Sequence, residues 1–370
     1  MTTIVFGIIL FTCYFFERYK MYNPVLAKSS SEKLFNSIVS YTIPITTISC
    51  LVGFRYNVGV DYPIYKDIYE QLTSSSFKWS LDNSGVEWLY TVICVICHKA
   101  QIPYYGFFFI MTLLPMCFFY NSFKHCKYIL FPATFFLFAS GVFFWYMNIM
   151  RQGIAFFIIL YSIQFIIKRS FLKYIFWIII ASGFHNSSYL FLPVYCLAFI
   201  PNSLPRWFAF IIYIFTWFLS NQLISLLFYI ATPFLSGTYI KYANVLQTWV
   251  MGGGSGLGVL ALHFADLSLI ILSPLCIKEY YKERFDIYYN IFIIGAFISN
   301  IAGLNMLLSR IPFCFISMRI VISGFSLLFI YKYWKSLNMA YKLTGIVLLL
   351  TNLAYLTGNL INLDYNFIQL

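Results

Sequence analysis

The sequence predicts an all-α, polytopic integral membrane protein. Of its 370 residues, 61% are hydrophobic and 10% are charged, whereas soluble domains carry about 25% charged residues. The apolar residues form runs close to the roughly 20 residues that a membrane-spanning helix needs. The net charge of +12 is carried mainly by short loops between these runs, which fits the positive-inside rule and argues against nucleic acid as a partner.

The runs that approach spanning length are, in chain order, 1–16, 34–54, 103–120, 129–147, 152–167, 207–229, 256–277, 287–306, 312–331 and 341–360. The run from Val86 to Cys97 is too short to span, since runs of about 10 to 14 residues are more often interfacial or re-entrant. Lys124 and Lys127 reach the inner side only if residues 55–102 stay outside. We therefore expect a short outer-face helix here, with Glu87 at its start.

The run from Tyr174 to Ile200 is too long for one crossing and is interrupted around His185. The basic loops before it, with Lys168 and Arg169, and after it, with Lys278 and Lys282, both belong inside. Both loops lie inside if the run crosses the membrane twice, as a broken helix pair around His185. This arrangement places His185 at the outer face.

The predicted topology has about 12 transmembrane helices in a single transmembrane domain over 1–370, with both termini outside. Its long outer loops are about 55–102 and 231–255. The second loop ends in Gly252-Gly253-Gly254 but lacks the Gly-Lys-Ser/Thr ending of a P-loop, so a flexible lid or a re-entrant turn is expected instead.

Charged side chains collect on the predicted outer side, where each is a functional candidate because charge at the bilayer centre costs about 2.5–3.5 kcal/mol on insertion scales. The arginine fork donates paired hydrogen bonds to phosphate. Arg55, Arg151, Arg310 and Arg319 are therefore candidate ligands of a doubly charged group such as a diphosphate. Helix capping or snorkelling is the structural alternative, although Arg319 lies deep enough in its run to need a partner or ligand.

His185 is a candidate general base, since imidazole accepts a proton near neutral pH. Asn186, Ser187 and Ser188 around it could orient the ring or cap the following helix, and the histidine could also simply satisfy backbone carbonyls. Asp61 and Glu87 are carboxylate alternatives for the base, or sugar-hydroxyl binders, or partners of Arg55.

Two further observations bear on chemistry. His263 and Asp266, three residues apart on one helix face, are expected to form a buried mutual hydrogen bond. The sequence has no metal-ligand cluster and no hydrolase or metalloprotease motif, so we expect neither a metal nor a cofactor.

Four short motifs occur in order along the first half of the chain. They are RYNVGVDY at 55–62, Glu87, NIMRQG at 148–153 and FHNSS at 184–188. In content and spacing they resemble the EpsG-like branch of the bacterial polysaccharide polymerases, the Wzy-type enzymes. The resemblance covers about 34–200, and beyond that the likeness is one of hydropathy.

The resemblance implies a metal-independent membrane glycosyltransferase that polymerises undecaprenyl-diphosphate-linked oligosaccharide repeat units into O-antigen or a related surface polysaccharide. The implied place is the outer, periplasmic face of the bacterial inner membrane. The implied partners are the lipid-linked oligosaccharides, membrane lipid and a chain-length regulator protein. The residues expected to be catalytic are His185, Arg151, Glu87 and Asp61, and those expected to bind diphosphate or glycan are Arg55, Gln152, Asn186, Arg310 and Arg319. No family motif supports the last two arginines.

Two alternatives use the same lipid-linked substrate. A glycan ligase would transfer a finished glycan to a terminal acceptor with nearly the same residues. A flippase or transporter would be expected to line a two-sided cavity with charge, whereas the candidate charges here lie on one side.

Overall fold

The computed structural model of the protein describes residues 2–20, 30–72, 86–200, 203–231, 256–302 and 308–363. These residues are predominantly helical and contain no strand, which confirms the predicted all-α class. They form two compact units, Met1–Ala198 with Leu356–Leu370 (unit 1) and Phe199–Tyr355 (unit 2). The single transmembrane domain over 1–370 stays a prediction.

Unit 1 carries the four sequence motifs. Its described α-helices are α1 (Thr2–Cys13), α2 (Ser30–Gly53), α3 (Tyr62–Leu72), α4 (Trp88–Lys99), α5 (Tyr104–Ser122), α6 (Leu130–Ala139), α7 (Val142–Asn148), α8 (Met150–Ile167) and α9 (Phe171–Ser182). A π-helical stretch, Tyr14–Lys20, follows α1. Two 3-10 segments, Lys127–Ile129 and Asn186–Ala198, precede α6 and follow α9.

Helix α8 is largely apolar on all its faces beyond its first turn, as expected of a buried helix. Most of its residues are buried. Helix α3 shows the opposite pattern: Tyr62, Tyr65 and Tyr69 recur at helical spacing, and all three are buried. This tyrosine stripe holds α3, and with it the first motif, against the rest of the unit.

Unit 2 contains most of the remaining helices. They are α10 (Arg206–Phe218), α11 (Ser220–Ala231), α12 (Leu257–Glu279), α13 (Phe285–Ala302), α14 (Phe313–Ile316), α15 (Arg319–Tyr333) and α16 (Met339–Asn362), the last of which runs on into unit 1. A short 3-10 turn, Leu308–Arg310, precedes α14.

The prediction of about 12 spans is wrong. Six helices of the described part are long and apolar enough to cross a membrane, or up to eight if each of two bent pairs is one span. The six are Tyr104–Ser122, Met150–Ile167, Leu257–Glu279, Phe285–Ala302, Phe313–Tyr333 and Met339–Asn362. The prediction of a multi-pass membrane protein still holds, but with fewer crossings than the sequence suggested.

The difference arises because hydropathy measures how apolar a run is and does not show where its helix bends or stops. The run 129–147 bends by 58° between Ala139 and Val142, and the run 207–229 bends by 79° near Leu219. The apolar helices Thr2–Glu17, Trp88–Lys99 and Phe171–Ser182 are shorter than a membrane-spanning helix.

The sequence located both irregular regions correctly along the chain. Helix α4 begins at Trp88, directly after Glu87 as predicted, and its membrane face stays a prediction. The break around His185 is present, since α9 ends at Ser182 and the next segment begins at Asn186. These pieces have only 12 and 13 residues, so the predicted double crossing is not supported.

The two predicted outer loops differ in what can be described. The region 55–102 contains α3 and α4, so much of it is helical. The loop 231–255, with its glycine run, lies outside the described residues apart from Ala231.

Candidate functional site

An ion pair joins two of the sequence motifs in unit 1. Arg151, in the first turn of α8, donates from Nη1 to Oε2 of Glu87, the residue before α4. The side chains keep 23% and 11% of their exposure, respectively, so the pair is partly shielded from solvent. The Arg151 guanidinium carbon lies 5.9 Å from the centre of the Tyr90 ring, and the Tyr65 hydroxyl is close enough to Arg151 to be influenced by its charge.

Tyr65 contributes to this group as a neutral hydroxyl. Burial raises its pKa above the usual value, while the neighbouring Arg151 opposes this rise. The phenol therefore stays protonated at neutral pH, and the guanidinium has one carboxylate and one hydroxyl as neighbours.

Helix α4 is docked on the end of α9 by backbone hydrogen bonds. The N–H groups of Leu89 and Tyr90 donate to the Gly183 carbonyl at 2.9 and 3.3 Å. A Cβ on Gly183 would lie 2.7 Å from the Leu89 Cβ and 2.9 Å from a Trp88 ring carbon, so the approach requires glycine. The contact sets Glu87 near the helix break that carries His185.

A hydrogen-bond chain links the third and fourth motifs. Gln152 donates from Nε2 to the Ser187 hydroxyl at 3.4 Å, and this hydroxyl lies 2.7 Å from Nδ1 of His185. The Ser187 backbone N–H also donates to this Nδ1, at 3.2 Å. Because Gln152 directly follows Arg151, the chain adjoins the ion pair.

These hydrogen bonds determine which nitrogen of His185 carries the proton. A backbone N–H can only donate, so Nδ1 accepts, and the neutral ring has its proton on Nε2. In this arrangement His185 offers a hydrogen-bond donor at Nε2. The geometry thus favours a role in positioning a substrate oxygen over the predicted role as general base.

Arg55 has a different environment from the one expected of a substrate ligand. Its side chain is fully buried, and its Nη2 donates to the Met147 carbonyl at 3.2 Å. The guanidinium carbon lies 5.7 and 5.5 Å from the ring centres of Tyr62 and Phe108. Arg55 thereby ties the first motif to the end of α7, while its predicted contact with substrate stays a prediction.

A second hydrogen bond connects the first motif to the third motif. The Val60 N–H donates to Oδ1 of Asn148 at 2.8 Å. Gly59 has a φ of +100°, and a Cβ there would lie 2.9 Å from this Oδ1. Glycine is therefore required by both backbone conformation and space. The loop before α3 holds the turn from which α8, and Arg151, begins.

The remaining predicted residues are spread over both units. In unit 1, half-buried Asp61 precedes α3 and accepts the Tyr65 N–H on its carbonyl at 3.1 Å, and Asn186 is exposed at the start of the 3-10 segment. In unit 2, Arg310 is half-buried, whereas Arg319 is buried. The structure thus gathers Arg55, Glu87, Arg151, Gln152 and His185 in unit 1.

Arg319 has the partner that its depth requires. Its Nη2 donates to Oδ2 of Asp266 at 2.8 Å. The expected hydrogen bond between His263 and Asp266 is instead bridged by Tyr213, whose hydroxyl lies 2.8 Å from His263 Nδ1 and 3.3 Å from Asp266 Oδ2. The prediction named the right pair and missed the hydroxyl between them.

Sequence reasoning missed Tyr65 and Tyr90 in unit 1 and Tyr213 in unit 2, whereas Ser187 contacts the His185 ring as expected. The three-residue and four-residue spacing of the tyrosines in α3 was a signal for Tyr65. We find no sequence signal for Tyr213. Among the described residues, no group of three or more His, Cys, Asp or Glu side chains is placed to hold a metal ion.

Comparison with known proteins gives one match. A family model described as the EpsG family matches residues 38–367. No curated protein and no solved structure matches the chain. The match confirms the resemblance carried by the four motifs and extends it through unit 2, where only hydropathy suggested it.

Proposed function

Because the chain belongs to the EpsG family, it is a membrane protein of polysaccharide biosynthesis, and we propose that it polymerises undecaprenyl-diphosphate-linked oligosaccharide repeat units into O-antigen or a related surface polysaccharide. We place the reaction at the outer, periplasmic face of the bacterial inner membrane, since the basic loops between apolar runs belong inside. The observation that carries the proposal is the Glu87–Arg151 ion pair beside the Gln152–Ser187–His185 chain.

Arg151 is proposed to bind the diphosphate of the donor. Glu87 occupies Nη1 of its guanidinium, and the group has further N–H donors that suit phosphate oxygens. As the glycosidic carbon leaves the diphosphate, negative charge grows on the leaving oxygen, and a fixed guanidinium stabilises it. Losing one such preorganised donor typically lowers the rate by about 10²- to 10³-fold.

Glu87 is proposed to be the general base. The diphosphate competes with Glu87 for Arg151, so donor binding would release the carboxylate from its partner. The acceptor hydroxyl then gives its proton to Glu87, and its oxygen forms a bond to the anomeric carbon of the donor glycan. The bond between that carbon and the diphosphate breaks, and undecaprenyl diphosphate leaves with the electron pair.

His185 is proposed to position an oxygen of the substrate. Its Nδ1 is held by Ser187, so the Nε2 proton can be donated to a phosphate or glycan oxygen. Gln152 fixes Ser187 from the other side. Asp61 remains the second carboxylate that could serve as base.

Chain growth in proteoliposomes tests the proposal. The substrate is a single lipid-linked repeat unit isolated from cells in which this protein has been deleted, with no other acceptor. Wild type is expected to give a ladder of longer glycans, whereas Arg151→Ala and Glu87→Gln give at least about 100-fold less product. Glu70→Gln is the matched control, because Glu70 forms an exposed pair with Lys66.

The other outcomes separate the alternatives. Transfer only to an added terminal acceptor would indicate a ligase, and movement across the bilayer without change of length would indicate a flippase. Ladders of normal length from both Arg151→Ala and Glu87→Gln would refute the site.

A further inference from the structure

Unit 2 contains a hydrogen-bonded network that the proposed reaction does not use. Asp266 and Arg319 form an ion pair with side chains only 6% and 10% exposed. The Tyr213 hydroxyl contacts both Asp266, at 3.3 Å, and His263, at 2.8 Å. The network joins α10, α12 and α15.

Proton positions in this network follow from the donors and acceptors. Asp266, paired with Arg319, is a carboxylate and can only accept, so the single hydroxyl proton of Tyr213 points to Asp266. The contact between Tyr213 and His263 is then satisfied only if His263 donates from Nδ1. Neutral His263 therefore has a bare lone pair on Nε2, the reverse of His185.

The orientation of the His263 ring is also fixed. The ring stacks on Trp217, with centres 4.2 Å apart and planes 18° apart. Asn300 donates to the Tyr213 carbonyl at 3.1 Å and to the Thr216 hydroxyl at 3.0 Å, which secures the last turn of α10 before the 79° bend. His263 itself is only half-buried, and the stacking on Trp217 together with the Tyr213 contact preorganises its ring.

We propose that His263 forms a carbohydrate-binding site in unit 2, in which Nε2 accepts a hydrogen bond from a sugar hydroxyl. The inference rests on the proposed function for the identity of the sugar, a lipid-linked glycan. Asp266 compensates the charge of Arg319, so the network suits a neutral hydroxyl donor better than a phosphate. Tyr213, Asp266 and Arg319 act as positioning residues, since they keep the lone pair on Nε2.

Two substitutions of one residue test the site. His263→Asn keeps a donor near the Nδ1 position and removes Nε2, whereas His263→Gln places an amide oxygen near Nε2. Losing one neutral hydrogen bond to a ligand is expected to raise KM for the lipid-linked repeat unit about five- to tenfold in His263→Asn. We expect kcat to stay within about twofold, and His263→Gln to recover most of the affinity.

Chemical modification provides a readout that does not depend on catalysis. Diethyl pyrocarbonate acylates unprotonated imidazole nitrogens, and the chain has four histidines, so each can be followed by peptide mass spectrometry. Saturating lipid-linked repeat unit is expected to slow acylation of His263 at least fivefold. His98 and His125, both exposed, are the controls and should react at unchanged rates.

The outcomes distinguish this inference from the proposed function. An unchanged KM in His263→Asn together with unprotected His263 would overturn the carbohydrate site while leaving polymerisation intact. If wild type fails to elongate repeat units but His263 is still protected by them, the polymerase proposal fails and the site stands.

Discussion

Replacing Gly183 by alanine should impair the site through a small displacement. Gly183 has a φ of −65°, which any residue adopts, so only space is at issue. The added Cβ would lie 2.7 Å from the Leu89 Cβ, whereas carbon atoms pack at about 3.5–4.0 Å. The start of α4, and with it Glu87, must therefore move by close to 1 Å relative to α9.

A displacement of about 1 Å in a catalytic arrangement costs about 100-fold in rate, while overpacking costs about 1–3 kcal/mol of stability. We expect Gly183→Ala to insert normally, to unfold at a lower temperature in detergent and to elongate glycans about 100-fold more slowly. Gly7→Ala is the control, because a Cβ on Gly7 meets nothing within 4 Å. Elongation by Gly183→Ala at the wild-type rate would refute the claim that α4 positions Glu87.

Two further structural contacts can be tested by substitution. Gly59→Ala should lower the free energy of unfolding by about 1–2 kcal/mol, which is the cost of a left-handed conformation for a residue with a Cβ. Thermal unfolding measures this loss, and an unchanged midpoint would contradict the requirement for glycine. Asp266→Asn and Arg319→Met should each lower the free energy of unfolding by about 3–5 kcal/mol, because each leaves a buried charge unpaired. The double variant should lose much less than the sum of the two single losses. Additive losses in this double-mutant cycle would argue against the ion pair.

Much of the local structure could be predicted because a charged residue within or beside an apolar run must lie at a helix end or have a partner. Glu87 at the start of a short helix, the break around His185 and the need of Arg319 for a partner all followed from composition and spacing, and the structure contains all three. The number of spans could not be predicted in this way, since neither the 58° nor the 79° bend changes how apolar its run is.

The contacts within the candidate site depended on distances that a sequence does not contain. Nothing in the motif RYNVGVDY shows that Arg55 turns inward to a carbonyl of α7. The tautomer of His185 depends on a 3.2 Å contact with the Ser187 backbone. The sequence suggested that His185 acts as a general base. Only this contact favours a ring that donates a hydrogen bond from Nε2.

Binding of undecaprenyl diphosphate to the Glu87→Gln variant tests the central claim most directly. If Glu87 and the diphosphate compete for Arg151, removing the carboxylate charge should tighten binding, by about tenfold for a gain of about 1.4 kcal/mol, although the variant no longer elongates glycans. Arg151→Gln should weaken binding instead. Weaker or unchanged binding in Glu87→Gln would contradict the account.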